Sequence, residues 1–182
     1  DLALIVSETR CAAAATYTTN KVKGAPLDVT RAHIADGYAQ AVICNSGNAN
    51  TCNANGAEIA QQTCALLADA MKINADEVVV ASTGVIGLPL DIAPIAAGIP
   101  ALMAGLSETG SEDAAEGIMT TDTVKKEVAV EFTLGGKTCR IGGIAKGSGM
   151  IHPNMATMLV FLTTDVSITP DMLQKALSGD IA

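Results

Sequence analysis

The chain has 182 residues, 49% of them hydrophobic and 16% charged, which excludes a disordered segment and suffices for one globular domain with a core. Its formal net charge of −8 at pH 7 argues against nucleic acid as a partner, because phosphate binding requires clustered Lys and Arg side chains. Five cysteines without a Cys-x-x-Cys pair predict neither a disulfide framework nor a zinc site, and they favour a reducing compartment. No uninterrupted apolar run has the length of a membrane span.

The first predicted elements are short strands. Residues 2–6 and 12–17 predict two strands, separated by a polar turn at 7–10. Because the chain opens inside an apolar strand, we expect that it lacks its native start. Residues 28–37 predict a short helix or a loop. Residues 41–44 predict a buried strand that ends at a polar cluster.

The clearest helix is predicted at residues 57–73, because apolar side chains recur there at three- and four-residue spacing. The members of this face are Ile59, Thr63, Leu66, Leu67 and Ala70. A strand at 78–81 and a helical stretch at 90–106 follow.

The last third of the chain predicts a hairpin, a further strand and a final helix. Residues 127–134 alternate as a half-buried strand does, and two glycines turn the chain back into a strand at 138–144. Residues 158–163 predict an apolar strand, and Thr169 followed by Pro170 predicts the start of a helix. The predicted class is mixed α/β.

Three clusters of small residues have the residue types that a catalytic site needs. In Ser82-Thr83-Gly84, a hydroxyl beside a flexible backbone N–H could form an oxyanion hole, although such trios are also common strand turns. Lys146 stands among glycines and serines, either to hold a substrate carboxylate or as an exposed loop residue. Thr157 begins an apolar strand, where a β-branched residue is common. The two histidines, His33 and His152, have no setting that favours catalysis.

Five motifs occur in order along the chain. They are Tyr17-Thr18-Thr19-Asn20, Asn45-Ser46-Gly47-Asn48-Ala49-Asn50, Ser82-Thr83-Gly84-Val85-Ile86-Gly87, Thr120-Thr121-Asp122-Thr123, and residues 145–159, which read Ala-Lys-Gly-Ser-Gly-Met-Ile-His-Pro-Asn-Met-Ala-Thr-Met-Leu. Together they resemble the ornithine acetyltransferase family, also called glutamate N-acetyltransferase, over nearly the whole chain.

The resemblance implies a layered αββα sandwich of the N-terminal-nucleophile-like type, made as a precursor that cuts itself between Ala156 and Thr157. A Thr hydroxyl is a poor nucleophile without an adjacent base. The cut would release an α-amino group with a pKa of about 8 on Thr157 itself, which can serve as that base.

The implied reaction is acetyl transfer in two half-steps. Thr157 attacks the acetyl group of N-acetylornithine, Thr83 and Gly84 form the oxyanion hole, and glutamate then takes the acetyl group. Thr120, Lys146 and Thr157 bind substrate. The resemblance implies no metal and no cofactor, with acetyl-CoA as a further donor in some members of the family.

The resemblance also implies how the precursor is organised. Residues 1–182 are expected to be a single N-terminal region, with residues 1–156 as the α-chain and residues 157–182 as the start of the β-chain, whose remainder lies downstream. The two chains are expected to form an α2β2 heterotetramer, with no nucleic acid and no membrane as partners. The expected location is the cytoplasm, or the mitochondrial matrix of a fungus.

Two alternatives remain at this stage. Aminopeptidases and amidases of related fold also use an N-terminal Ser or Thr, and they differ in admitting water to the acyl-enzyme. A non-catalytic scaffold fragment would use the small-residue clusters only as turns.

Overall fold

The computed structural model describes residues 1–149 and 158–180, which form two three-stranded sheets and five helices. The strands are β1 (Leu2–Ala12), β2 (Tyr38–Asn45), β3 (Val78–Ser82), β4 (Lys126–Leu134), β5 (Lys137–Lys146) and β6 (Leu159–Thr164). The helices are α1 (Pro26–His33), α2 (Gly56–Met71), α3 (Ala93–Ala104), α4 (Ser111–Gly117) and α5 (Pro170–Asp180). Single 3-10 turns occupy Ile34–Asp36 and Ala75–Glu77. The predicted mixed α/β class is confirmed.

The two sheets differ in topology. The first has the order β1-β2-β3, with β1 antiparallel and β3 parallel to the central β2. The second has the order β4-β5-β6, and all its neighbours are antiparallel. A tight turn at Gly135 and Gly136, both with positive φ (57° and 77°), joins β4 to β5, as the sequence predicts.

The predicted turn at residues 7–10 is wrong, because β1 continues through it as one strand from Leu2 to Ala12. The pairing with β2 is irregular between Val6 and Cys11, and there the Gln40 amide donates to the carbonyl oxygens of Ser7 and Glu8 at 3.2 and 3.3 Å. β1 lies at the sheet edge, so its polar side chains can face solvent without ending the strand. The second strand predicted at 12–17 is therefore absent.

The first core lies between the first sheet and helices α1 to α3. Leu67 and Val78 are fully buried there, and Ile43 is 1% exposed. The predicted face of α2 is rotated by about one residue, because Leu66 and Ala70 are exposed while Cys64 and Ala68 are buried. Each residue turns the helix by about 100°, so an error of one residue in the position of the apolar face moves its outer members into solvent.

The second core lies between the two sheets. Successive side chains of a strand point to opposite faces, so Ile43 enters the first core while Cys44 enters the second. Ile144 of β5 meets Cys44 there, together with Ala115 and Ile118 from α4 and the residue after it. The layers thus run helices, first sheet, second sheet.

The outer face of the second sheet carries apolar side chains that stay exposed. The predicted half-burial of β4 is wrong for the described residues, because all nine residues of this strand are exposed. We call the exposed set the open face: Val128, Val130, Phe132, Leu134, Val160 and Leu162, which are 36–60% exposed. The alternation that sequence analysis found is real, but the described residues supply no layer on this side.

Candidate active site

The predicted site residues that the structure describes, Thr83, Gly84, Thr120 and Lys146, lie together at one end of the two sheets. The parallel strands β2 and β3 end there, at Asn45 and Ser82. β5 ends there at Lys146, which pairs with Leu159 at the start of β6. Polar residues that follow the carboxyl ends of neighbouring strands are brought together by the sheet itself.

Lys146 is the centre of the cluster. Its side chain is buried, at 3% exposure, and its Nζ donates to Thr120 Oγ1 at 2.7 Å and to Thr83 Oγ1 at 3.2 Å. Three predicted site residues are therefore joined directly, and the interpretation of Lys146 as an exposed loop residue is wrong. Within residues 1–149 and 158–180, no carboxylate lies at ion-pair distance from Nζ. A buried ammonium with only neutral acceptors favours an anionic group nearby.

Gly84 turns the chain sharply after β3. Its φ is +123°, and a Cβ there would lie 2.6 Å from the carbonyl carbon of Gly47, so only glycine fits without movement. The Thr83 N–H donates to Asn45 O at 2.9 Å, whereas the Gly84 N–H has no acceptor among the described residues. The Thr83 hydroxyl accepts from Lys146 and keeps its own proton for donation. The turn can thus offer one hydroxyl and one N–H to the same ligand.

Asn45 holds this turn in place, a role that sequence reasoning did not assign. Its Oδ1 accepts from the N–H groups of Gly47 and Asn48 at 3.2 and 3.0 Å, and its Nδ2 donates to Ser82 Oγ at 2.6 Å. The signal in the sequence was the polar cluster directly after a buried strand.

Asp122 is a second residue that sequence reasoning left without a role. Its side chain is fully buried, and Oδ1 accepts from Gly147 N at 2.8 Å and from Lys126 Nζ at 2.6 Å. Oδ2 accepts from Thr120 N at 3.4 Å. Desolvation raises the pKa of this carboxyl, but hydrogen bonds from Lys126, Gly147 and Thr120 outweigh it and lower the pKa to about 2. Asp122 is therefore a carboxylate at neutral pH.

Cys44 lies close to this cluster but is not suited to be a nucleophile. Burial raises the pKa of its thiol to about 12, and the charge of Lys146 offsets this only in part. A thiol that stays protonated near neutral pH does not attack carbonyl groups efficiently. Cys44 is thus a core residue, 2% exposed.

Several predicted residues lie outside the described part of the chain or away from the cluster. Ala156, Thr157 and His152 lie outside the described residues. His33 is on α1, with Nδ1 2.9 Å from Val78 O, which fits a structural role. In the described ranges, no three His, Cys, Asp or Glu side chains are grouped to hold a metal ion, and no helix is both long and apolar enough to cross a membrane.

Two stacked sheets with helices on one side, and a buried Lys that contacts two threonines, define a layered α/β protein, and the match to solved ArgJ structures supports the N-terminal-nucleophile type. The chain belongs to the ArgJ family, whose model matches residues 1–182.

Two curated relatives and two solved structures illustrate the similarity. The arginine biosynthesis bifunctional protein ArgJ of Symbiobacterium thermophilum is 52% identical over 97% of this chain and 44% of its own length. The ArgJ 1 protein of Clostridium acetobutylicum is 50% identical over 100% of this chain and 45% of its own length. The crystal structure of ArgJ from Bacillus halodurans has a TM-score of 0.79 at 45% identity, over 86% of this chain and 83% of that one. Ornithine acetyltransferase from Mycobacterium tuberculosis, complexed with ornithine, has a TM-score of 0.74 at 35% identity, over 86% and 84%.

This chain thus spans about half the length of the curated relatives it matches.

Proposed function

We propose that the gene product containing this chain moves the acetyl group of N-acetylornithine to glutamate, through an acetyl-threonine intermediate on Thr157. The observation that carries the proposal is the buried contact of Lys146 with Thr83 and Thr120 beside Gly84. The relatives named for arginine biosynthesis, and the structural relative named ornithine acetyltransferase with bound ornithine, support the substrate class.

Thr157 is the proposed nucleophile, freed by self-cleavage after Ala156. Leu159 pairs with Lys146 across β5 and β6, and Thr157 precedes Leu159 by two residues in the sequence. The α-amine released by the cut takes the proton of the Thr157 hydroxyl as that oxygen attacks the acetyl carbon.

Thr83 and Gly84 are the proposed oxyanion hole. The attack turns the acetyl carbonyl oxygen into an oxyanion, which the Thr83 hydroxyl and the Gly84 N–H can stabilise together. The intermediate collapses as the C–N bond breaks, and the ornithine amine leaves with the proton that the Thr157 α-amine had taken up. In the second half-step the glutamate amine attacks the acetyl-threonine, the ester bond to Thr157 Oγ breaks, and the proton lost by that amine returns to the Thr157 hydroxyl.

Lys146 and Thr120 are proposed to bind the substrate. The α-carboxylate that ornithine and glutamate share is the anion that the buried Lys146 ammonium would pair with. Thr120 accepts from the same ammonium and is an exposed residue, so a substrate can approach it. The acetyl transfer itself needs no cofactor or metal. If acetyl-CoA serves as a second acetyl donor, it acts as a co-substrate that is consumed in the reaction.

The partner proposed for residues 1–156 is the β-chain made from the same precursor, which begins at Thr157 and includes β6, in an α2β2 heterotetramer. The open face gives support, because six large apolar side chains on one side of a sheet are expected to be covered in the assembled protein. The bacterial relatives favour the cytoplasm as the location.

The test is the intact mass of the gene product after incubation with N-acetylornithine and no acceptor. We expect two pieces that separate between Ala156 and Thr157, with the later piece heavier by one acetyl group. Adding glutamate should remove the acetyl group and yield N-acetylglutamate. Acetyl release to water in the absence of glutamate would favour the amidase alternative instead.

The variant Thr157→Ala separates catalysis from a scaffold role. We expect a chain that is never cut and never acetylated. Normal cleavage in this variant would refute Thr157 as the nucleophile, and an unmodified, uncut wild-type chain would refute the activity.

A further inference from the structure

We propose that Asp122 is a positioning residue, whose carboxylate holds Thr120 and the end of β5 at Lys146 in register for acetyl transfer. This inference rests on the proposed function. Asp122 is placed to act through its neighbours, because two of its three partners are backbone N–H groups, one on each side of the Lys146–Thr120 hydrogen bond.

Three consecutive residues of one segment contact three consecutive residues of the other. Thr120 Oγ1 accepts from Lys146 Nζ, Asp122 Oδ1 accepts from Gly147 N, and Thr121 Oγ1 lies 2.9 Å from Ser148 Oγ. The segment before β4 is thereby fastened to the end of β5. The Asp122 side chain is fully buried, whereas Thr120, Thr121 and Ser148 are exposed residues.

The backbone N–H of Gly147, directly after β5, finds its acceptor in Asp122, which lies outside the strand. Gly147 has φ +144° and no side chain, so its conformation is not restrained by side-chain packing of its own. The carboxylate binds Gly147 N at 2.8 Å on one oxygen, while its other oxygen accepts from Thr120 N at 3.4 Å. One rigid group thus sets the separation of the two backbones from which the Lys146 and Thr120 side chains extend.

The ion pair with Lys126 does not explain the burial of Asp122. The Lys126 side chain is 41% exposed, so solvent screens its charge and the pair does not require a buried carboxylate. The backbone contacts, in contrast, are internal and would be lost together if the carboxylate were removed.

The experiment compares four variants of the whole gene product. Asp122→Ala removes all the contacts of the carboxylate, while Asp122→Asn keeps one oxygen for Gly147 N. Lys126→Met removes only the ion pair. Asp69→Asn, at an exposed position on α2, is the matched change of carboxylate to amide away from the site.

For each variant we would measure self-cleavage, then kcat and KM for N-acetylornithine per cut molecule. We expect Asp122→Ala to lower kcat roughly 100-fold, since misplacement by about 1 Å has that effect. Asp122→Asn should lower it about tenfold, whereas Lys126→Met and Asp69→Asn should stay within about threefold. Should Asp122→Ala not be cut at all, the cleavage rate of Asp122→Asn takes the place of kcat.

Two outcomes would overturn the proposal. Folded Asp122→Ala with wild-type kcat would reduce Asp122 to a structural role, and a loss with Lys126→Met as large as with Asp122→Ala would assign the effect to the ion pair.

A second readout does not depend on the reaction. Hydrogen exchange of the Gly147 amide should accelerate about tenfold or more in Asp122→Ala and stay at the wild-type rate in Asp69→Asn; an unchanged rate in both would also overturn the proposal. An inactive wild-type protein would refute the proposed function alone, since the exchange measurement still tests the positioning.

Discussion

The two sheets differ in how completely the described residues cover them. The first sheet has helices on one side and the second sheet on the other, so both its faces are packed. The second sheet is packed on its inner side and leaves the open face in contact with solvent. Among the described residues, the first sheet is therefore packed on both faces, whereas one apolar face of the second sheet has no covering layer.

The same contrast extends to the site. The first sheet contributes neutral groups on a backbone turn, Thr83 and Gly84, which Asn45 holds in place. The second sheet contributes the charge, through Lys146 at the end of its central strand β5. Substituting Lys146 and Thr83 in separate variants tests whether the two sheets have separate chemical roles.

The largest effect is expected from Lys146→Met, which removes the charge but keeps a long apolar side chain. We expect kcat/KM for N-acetylornithine to fall roughly 10³-fold. The melting temperature should not fall, because an apolar residue of similar length replaces a buried cation without a carboxylate partner. Steady-state kinetics and thermal melting of the same preparation check both parts, and a lost fold would contradict the second.

Thr83→Val should come next, because it removes one oxyanion donor while keeping the shape of the side chain. We expect kcat to fall roughly 10²-fold with little change in KM. The control is Thr63→Val on α2, which loses a buried hydroxyl that donates to Ile59 O at 2.9 Å, away from the site. Equal losses of kcat in both variants would show that the effect is one of folding.

The open face is tested by Val130→Asp, which places a charge among its apolar side chains. If the part of the β-chain that follows β6 covers this face, the charge is buried without a partner and association weakens at least about tenfold. Thr133→Asp is the control, since residues 130 and 133 point to opposite faces of β4. Size-exclusion chromatography and a dissociation constant measure the difference, and equal behaviour of the two variants would mean that the face stays in solvent.

The smallest effect concerns acid stability at Asp122, which links the segment before β4 to the end of β5. The pKa of Asp122 is about 2 when folded, against an ordinary value of 3.8, so its contribution is fully present above about pH 4 and is lost as the pH falls towards 2. Urea unfolding at several pH values should show a steeper loss of stability in the wild type than in Asp122→Asn. Parallel pH dependence in the two proteins would contradict the lowered pKa.

Sequence analysis located most strands and helices, because their signal is local. β2, β3 and α2 have runs or stripes of apolar residues that admit one interpretation. β1 was divided wrongly, because its polar middle looks like a turn until the cross-strand contact of Gln40 is known. The exposure of β4 was missed for a related reason, since alternation shows that one face is apolar but not whether a layer is present to cover it.

The sequence by itself determined the class of the fold, the family resemblance and the identity of Thr83, Gly84, Thr120 and Lys146 as site candidates, since these follow from local patterns and motifs. Only the tertiary structure decided that Lys146 is buried between the two threonines, and that Asn45 and Asp122 hold the two halves of the site. These contacts join residues that are distant in the chain: Lys146 is 63 residues from Thr83. No local pattern encodes such a pairing, because it arises when the two sheets pack and bring their strand ends together.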